Sequence, residues 1–152
     1  MPEAARSVTL RPAHGPAEYP QLTEIWRSAV RATHDFLEDA DFARIESNLA
    51  SVYFPAVELI VADRSGTAVG FAGVAEGSLE MLFVSEDARG TGIGSLLLTE
   101  AIAHHGVIRV DVNEQNTSGR GFYLSRGFVQ VGRSELDGDG RPYPILHLAL
   151  PA

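Results

Sequence analysis

Glycine occupies every second position in Arg89-Gly90-Thr91-Gly92-Ile93-Gly94, between an apolar run over 79–84 and an amphipathic stretch that starts at Gly92. This arrangement predicts a strand, a tight loop and a helix in succession, because residues without a Cβ permit backbone conformations that other side chains resist. The first N–H groups of a helix have no intrahelical acceptor, and the aligned peptide dipoles leave roughly half a positive charge there. A helix N-terminus entered through such a loop favours an anion such as a pyrophosphate, and Arg89 adds a cation at its entry. The spacing is G-x-G-x-G. It is neither the G-x-G-x-x-G of a dinucleotide fold nor a P-loop, and the acidic ribose partner of the dinucleotide reading would fall no better than on Asp111.

The surrounding elements follow from periodicity. Residues 7–11 alternate apolar and polar before Pro12 and read as a strand. Over 17–32, Leu22, Ile25, Trp26, Ala29 and Val30 recur every three or four residues, the stripe of an amphipathic helix. A second helix is predicted after Asp39, with Phe42, Ile45 and Leu49 on one face and Pro55 as its end. The period then changes to strands over 57–62 and 68–74, joined by the turn Asp63-Arg64-Ser65-Gly66-Thr67. Glu76-Gly77-Ser78 turns the chain into a third antiparallel strand over 79–84. The helix over 92–104 aligns Ile93, Leu97 and Ala101, and a strand over 107–112 follows Gly106, so 79–112 reads as a right-handed βαβ unit with parallel strands. A short helix over 117–126 capped by Gly127, and two strands around Asp137-Gly138-Asp139-Gly140, close the chain. The sum is an α/β fold of mixed α+β character: a single domain over 1–152 with helices flanking a central mixed sheet.

Composition narrows the function. A chain of 152 residues is long enough to bury a core without disulfides or metals. A formal net charge of −8 argues against nucleic acid, which is held by Lys and Arg, and suits cationic or amine partners as well as plain solubility. No apolar run approaches the ~20 residues of a membrane span. Met1-Pro2-Glu3-Ala4-Ala5-Arg6 lacks the pattern of a secretory signal and the chain has no cysteine, so a cytoplasmic location and no membrane partner are expected. His104 and His105 are adjacent and point about 100° apart on a helix, so no metal site is expected. Without a Gly-x-Ser-x-Gly elbow, no serine-nucleophile hydrolase is expected either.

Arg89-x-x-Gly92-x-Gly94, after a strand and opening a helix, resembles the R/Q-x-x-G-x-G/A coenzyme A signature of the GNAT N-acetyltransferases. Asn116, Gly119, Phe122-Tyr123 and Gly127-Phe128 are similar to that superfamily's N-x-x-A-x-x-F-Y-x-x-x-G-F segment, with glycine where alanine is common. The element order is the GNAT order, so the resemblance spans nearly the whole chain. Residues 28–37, 112–116 and 142–146 further resemble the YjaB-type bacterial members.

The resemblance implies the GNAT fold, with two central parallel strands splayed apart, and acetyl-CoA as the acyl donor. Its holders would be Arg89, Gly90, Thr91, Gly92, Ile93, Gly94 and Ser95, the backbone of Leu82, Phe83 and Val84, and Asn116 with Tyr123. A primary amine would attack acetyl-CoA directly in a ternary complex. Tyr123 is the expected general acid, since a phenol with a reference pKa of about 10 keeps its proton at neutral pH. Glu80, which interrupts an apolar strand, is the candidate base, and His34, Asp35 and Glu80 are the candidate substrate-binding residues. Gly119 and Gly121 each cost a helix ~1 kcal/mol against alanine. That cost predicts a close approach, read as the cofactor packing on the helix, with Asn116 as N-cap, cofactor contact or both. The acceptor stays open between a small-molecule amine and a peptide or protein amine, and the oligomeric state between monomer and homodimer. The competing reading is a non-catalytic acyl-CoA-binding or sensor module, against which the presence of Tyr123 speaks.

Overall fold

The alternating runs assemble into one seven-stranded sheet in the computed structural model, which describes residues 7–152. The signal-segment reading of residues 1–6 lies outside the described residues. The strands are β1 (Val8–Pro12), β2 (Glu58–Arg64), β3 (Thr67–Ala75), β4 (Ser78–Val84), β5 (Arg109–Asn113), β6 (Val129–Ser134) and β7 (Ile145–Ala149). Their order is β1-β2-β3-β4-β5-β7-β6, and β4–β5 is the one parallel pair among the described residues. The helices are α1 (Tyr19–Thr33), α2 (Asp39–Asn48), α3 (Ile93–His105) and α4 (Thr117–Ser125). No helix among the described residues is long and apolar enough to cross a membrane.

Two cores form on opposite faces of the sheet because successive strand residues point to opposite sides. Ile60, Ala62, Ala72, Val110 and Leu148 join Ile93, Leu97 and Ala101 of α3 on one face. Val61 and Phe71 join Leu22, Ile25 and Trp26 of α1 on the other. Burial on both faces explains why β2 and β3 read as nearly continuous apolar runs, each large buried side chain contributing roughly 1.5–3 kcal/mol.

The second helix differs from its expected course. It stops as an α-helix at Asn48, and residues Leu49–Tyr53 continue in a wider π-type turn in which the Phe54 N–H donates to the Leu49 carbonyl at 2.8 Å. The extra residue in that turn brings both Leu49 and Phe54 into the α1 core.

The parallel pair is short. Only Ser78 with Arg109 and Leu79 with Val110 are in register between β4 and β5. On the other edge of β4, the register passes from Gly73 opposite Met81 to Val74 opposite Leu79, leaving Glu80 as an unpaired extra residue. Such a bulge bends its strand. The bend falls immediately after the last β4–β5 pair, so the two strands splay from Glu80 onward.

Candidate active site

Backbone geometry at the glycine loop meets the requirement for holding an anion. Gly90 and Gly92 have φ of 77° and 87°, in the left-handed region, and a Cβ at either would point into open space. Gly92 is the N-cap of α3 and no side-chain hydrogen bond caps this end. The first turn of α3 thus opens into a cavity of about 590 Å³ lined by Arg89, Gly90, Gly92, Ile93, Gly94 and Ser95. Thr91 does not line it; its hydroxyl donates to the Ala88 carbonyl at 2.5 Å and braces the loop.

Sequence reasoning missed a second cation. Arg126 lines the same cavity, places its guanidinium 4.7 Å from the centroid of the Phe122 ring, and donates to the Ser95 hydroxyl. Neither Arg89 nor Arg126 has a carboxylate partner among the described residues, so both charges are free for an anion, in a chain of net charge −8. The residue stands one place before Gly127 within the Phe122 to Phe128 segment, which is the signal that could have found it.

On the opposite wall, α4 begins at Asn116, whose Oδ1 accepts the Gly119 N–H at 3.0 Å and the Ser118 hydroxyl at 3.1 Å. A Cβ on Gly119 would come within 2.5 Å of Asn116 Nδ2, while one on Gly121 would meet nothing within 4 Å. Among the described residues the close approach at Gly119 is that of Asn116 against its own helix, and Gly121 has no protein neighbour of that kind. Asn116 still lines the cavity.

Tyr123 of α4 reaches the same space. Its ring is buried edge-on against Phe122 and Phe128, with centroids 5.3 and 5.7 Å away, and its hydroxyl makes no hydrogen bond to a described residue. Burial pushes its pKa above the ordinary phenol value, so it holds its proton firmly at neutral pH. Leu82, Phe83 and Val84 of β4 also line the cavity, where the splay leaves their β5-facing backbone groups without a strand partner.

A second cavity of about 420 Å³ lies beside α1 and the π-type turn. Its walls include Trp26, Val30, Leu37, Ile45, Leu49 and Tyr53. His34, Glu80, Met81, Phe83 and Asn113 line both cavities, so the two meet at the β4 bulge. Glu80 is exposed there and has no hydrogen-bond or ion-pair partner among the described residues. The Thr33 hydroxyl donates to the Ala29 carbonyl, so the 2.7 Å contact between Thr33 Oγ1 and His34 Nδ1 requires Nδ1–H to donate and leaves Nε2 as an acceptor. Burial pushes His34 down to about 4, partly opposed by Asp35, so the ring is neutral at pH 7. Asp35 itself is exposed and lines neither cavity; it acts on the site through the charge it places beside His34.

Asp137 and Tyr143, from the loop between β6 and β7, close the second cavity. The Tyr143 hydroxyl donates to Asp41 Oδ2 at 2.6 Å and accepts the Glu38 N–H at 3.1 Å. Arg141 donates to Asp41 at 3.0 Å and Arg44 to Asp139 at 2.7 Å. These donors, Tyr143 foremost, hold the Asp41 carboxyl below the usual range although its residue is only 4 % exposed. The loop is thereby bolted to α2 by a buried carboxylate that no sequence motif announces.

Against known proteins, a family model described as an acetyltransferase (GNAT) domain matches residues 27–143. A peptidyl-lysine N-acetyltransferase YjaB from Salmonella typhimurium is 42 % identical over 132 residues, covering 86 % of this chain and 90 % of the relative. The solution structure of apo YjaB from Escherichia coli superposes with a TM-score of 0.85 at 36 % identity, covering 93 % of this chain and 96 % of that one. The PaiA N-acetyltransferase of Thermoplasma acidophilum, solved in complex with coenzyme A, shares the fold with a TM-score of 0.74 at 19 % identity, over 95 % of this chain and 99 % of that one.

Proposed function

The chain belongs to the GNAT acetyltransferase family, and we propose that the amine it acetylates is the ε-amine of lysine in a peptide or protein. It is an N-acetyltransferase that takes its acetyl group from acetyl-CoA. The loop glycines, the uncapped start of α3 and the two unpaired arginines fit a pyrophosphate, and the unpaired edge of β4 fits an extended amide-bearing arm. Bound acetyl-CoA supplies a thioester whose carbonyl is open to an amine.

The observation that carries the acceptor assignment is the second cavity, apolar along its length and meeting the donor cavity at Glu80. A lysine side chain matches it, with a four-carbon stem for the walls and an ammonium for the acidic end. YjaB of Salmonella, named a peptidyl-lysine N-acetyltransferase, supports the same reading. In it, Glu80 takes the ammonium proton, His34 Nε2 offers a second acceptor nearby, and Tyr123 delivers its proton to the departing sulfur. Backbone N–H groups on the free edge of β4 face the acyl oxygen; donors of this kind are worth about 2.7–4 kcal/mol in other acyl-transfer sites. The proposed setting is the cytoplasm, where acetyl-CoA and protein lysines meet.

The test is thiol release from acetyl-CoA with a lysine-containing peptide, read together with the mass of the product. Release with one acetyl on the lysine side chain is expected, and none with the peptide whose lysine is already acetylated. Equal release with both peptides would overturn the acceptor assignment. Glu80→Gln should move the rising limb of the rate-against-pH curve to higher pH, and an unmoved curve would remove Glu80 as base.

A further inference from the structure

Three strands of the sheet bring together a serine, a histidine and an aspartate that have no role in the acetyl transfer proposed above, although Asp111 also lines the donor cavity. Val110, Val112, Leu146 and Leu148 face the α3 core, so alternation turns Asp111 and His147 to the opposite face. There Asp111, His147 and Gly132 lie in one row across β5, β7 and β6. Ser134 Oγ is 2.7 Å from His147 Nε2, and His147 Nδ1 is 2.7 Å from Asp111 Oδ1. In the Nδ1–H tautomer the imidazole donates to the carboxylate and accepts from the hydroxyl, the relation of nucleophile, base and orienting acid in acyl transfer. Gly132 lies against the ring, and a Cβ there would make ordinary contact with His147 Cδ2 at 3.4 Å. The group is open to solvent, the His147 and Asp111 side chains being 37 % and 60 % exposed. No local motif marks it: its members are contributed by three strands, so the missing Gly-x-Ser-x-Gly elbow is no guide.

We propose that Ser134 is an activated nucleophile and a site of covalent acylation by small activated esters and thioesters. The Ser134 oxygen bonds to the acyl carbon as the bond from that carbon to the leaving oxygen or sulfur breaks. His147 Nε2 takes the hydroxyl proton and returns it to the leaving group. The proposal includes no oxyanion hole, whose absence lowers acyl-transfer rates by about 10²–10³-fold. Both acylation and hydrolysis are slowed by that factor, but an aryloxide or thiolate departs far more readily than the serine alkoxide, so the acyl-serine should accumulate and a single stoichiometric burst is expected in place of rapid turnover.

The sequence suits the test, because it contains neither lysine nor cysteine, the usual competitors for acyl groups. With p-nitrophenyl acetate, the intact protein should release a burst of one p-nitrophenolate per chain, and peptide mapping should place the acetyl on Ser134. Ser134→Ala should abolish the burst and leave lysine-peptide acetylation unchanged. His147→Ala should slow it by about 10²-fold, with partial rescue by added imidazole, and Asp111→Asn provides a second variant should the first fail to fold. Tyr123→Phe should keep the burst, separating it from acetyl transfer to amines. Acetyl found elsewhere than Ser134, or equally fast Ser134 labelling in the wild type and in the His147→Ala and Asp111→Asn variants, would overturn the proposal.

Discussion

The two cavities that meet at Glu80 are built by different means. On the donor side the chain offers backbone: the left-handed Gly90 and Gly92, the open first turn of α3 and the unpaired edge of β4. On the side proposed for the acceptor it offers side chains from α1, the π-type turn and the β6–β7 loop, held in place by the buried carboxylate of Asp41. A backbone site tolerates little change in conformation and much in neighbouring side chains. A side-chain site behaves in the reverse way, which allows one acyl donor to be kept while acceptors diversify.

The largest effect is expected where the two sides converge on the chemistry. Tyr123→Phe should lower kcat by roughly 10²–10⁴-fold while acetyl-CoA affinity, measured by calorimetry, stays nearly constant; an unchanged kcat would remove Tyr123 as the acid. Next comes the backbone itself. Gly92→Val forces a β-branched residue into the left-handed region at ~1–2 kcal/mol, so acetyl-CoA binding should weaken about 5- to 30-fold with no matching loss of acceptor affinity. On the other side, Asp41→Asn should loosen the β6–β7 loop and raise the acceptor KM by about tenfold, leaving acetyl-CoA binding intact. Equal changes in both affinities would erase the distinction between the halves.

The smallest effect concerns stability. His34 titrates near 4 in the fold and near 6.5 when exposed, so between those values the unfolded chain binds more protons. Its contribution is complete above pH 6.5 and lost as pH falls towards 4. His34→Asn should therefore flatten the decline of Tm across that window, as read by thermal melts at successive pH values.

The same contrast explains what could be read in advance. The glycine loop, α3 and the Asn116 to Phe128 segment were legible because each is a contiguous run whose spacing carries its own physics, and the apolar runs of β2 and β3 were legible as strands of a meander. Arg126 was missed because a lone arginine in a helix's last turn has an ordinary surface role. The Asp41 network was invisible because its members Glu38, Asp41, Arg44, Asp139, Arg141 and Tyr143 meet only after the last two strands have paired. Placement of β7 between β5 and β6 was equally unreadable, since the hairpin signal around Asp137 fixes pairing but not which strand joins the sheet.

The brevity of the β4–β5 ladder has a mechanical side. Among the described residues the plate β1–β4 meets the plate β5–β7 in register only at Ser78 with Arg109 and Leu79 with Val110, beside the Ile108 and Arg109 N–H groups that donate to the Gly77 carbonyl. Bending stiffness across a sheet comes from its ladder, so the compliant coordinate of this molecule is the angle between the plates, pivoting at those two pairs. A ligand that bridged the gap would act as a strut, and the amides along the open edges of β4 and β5 would report its arrival by slower hydrogen exchange.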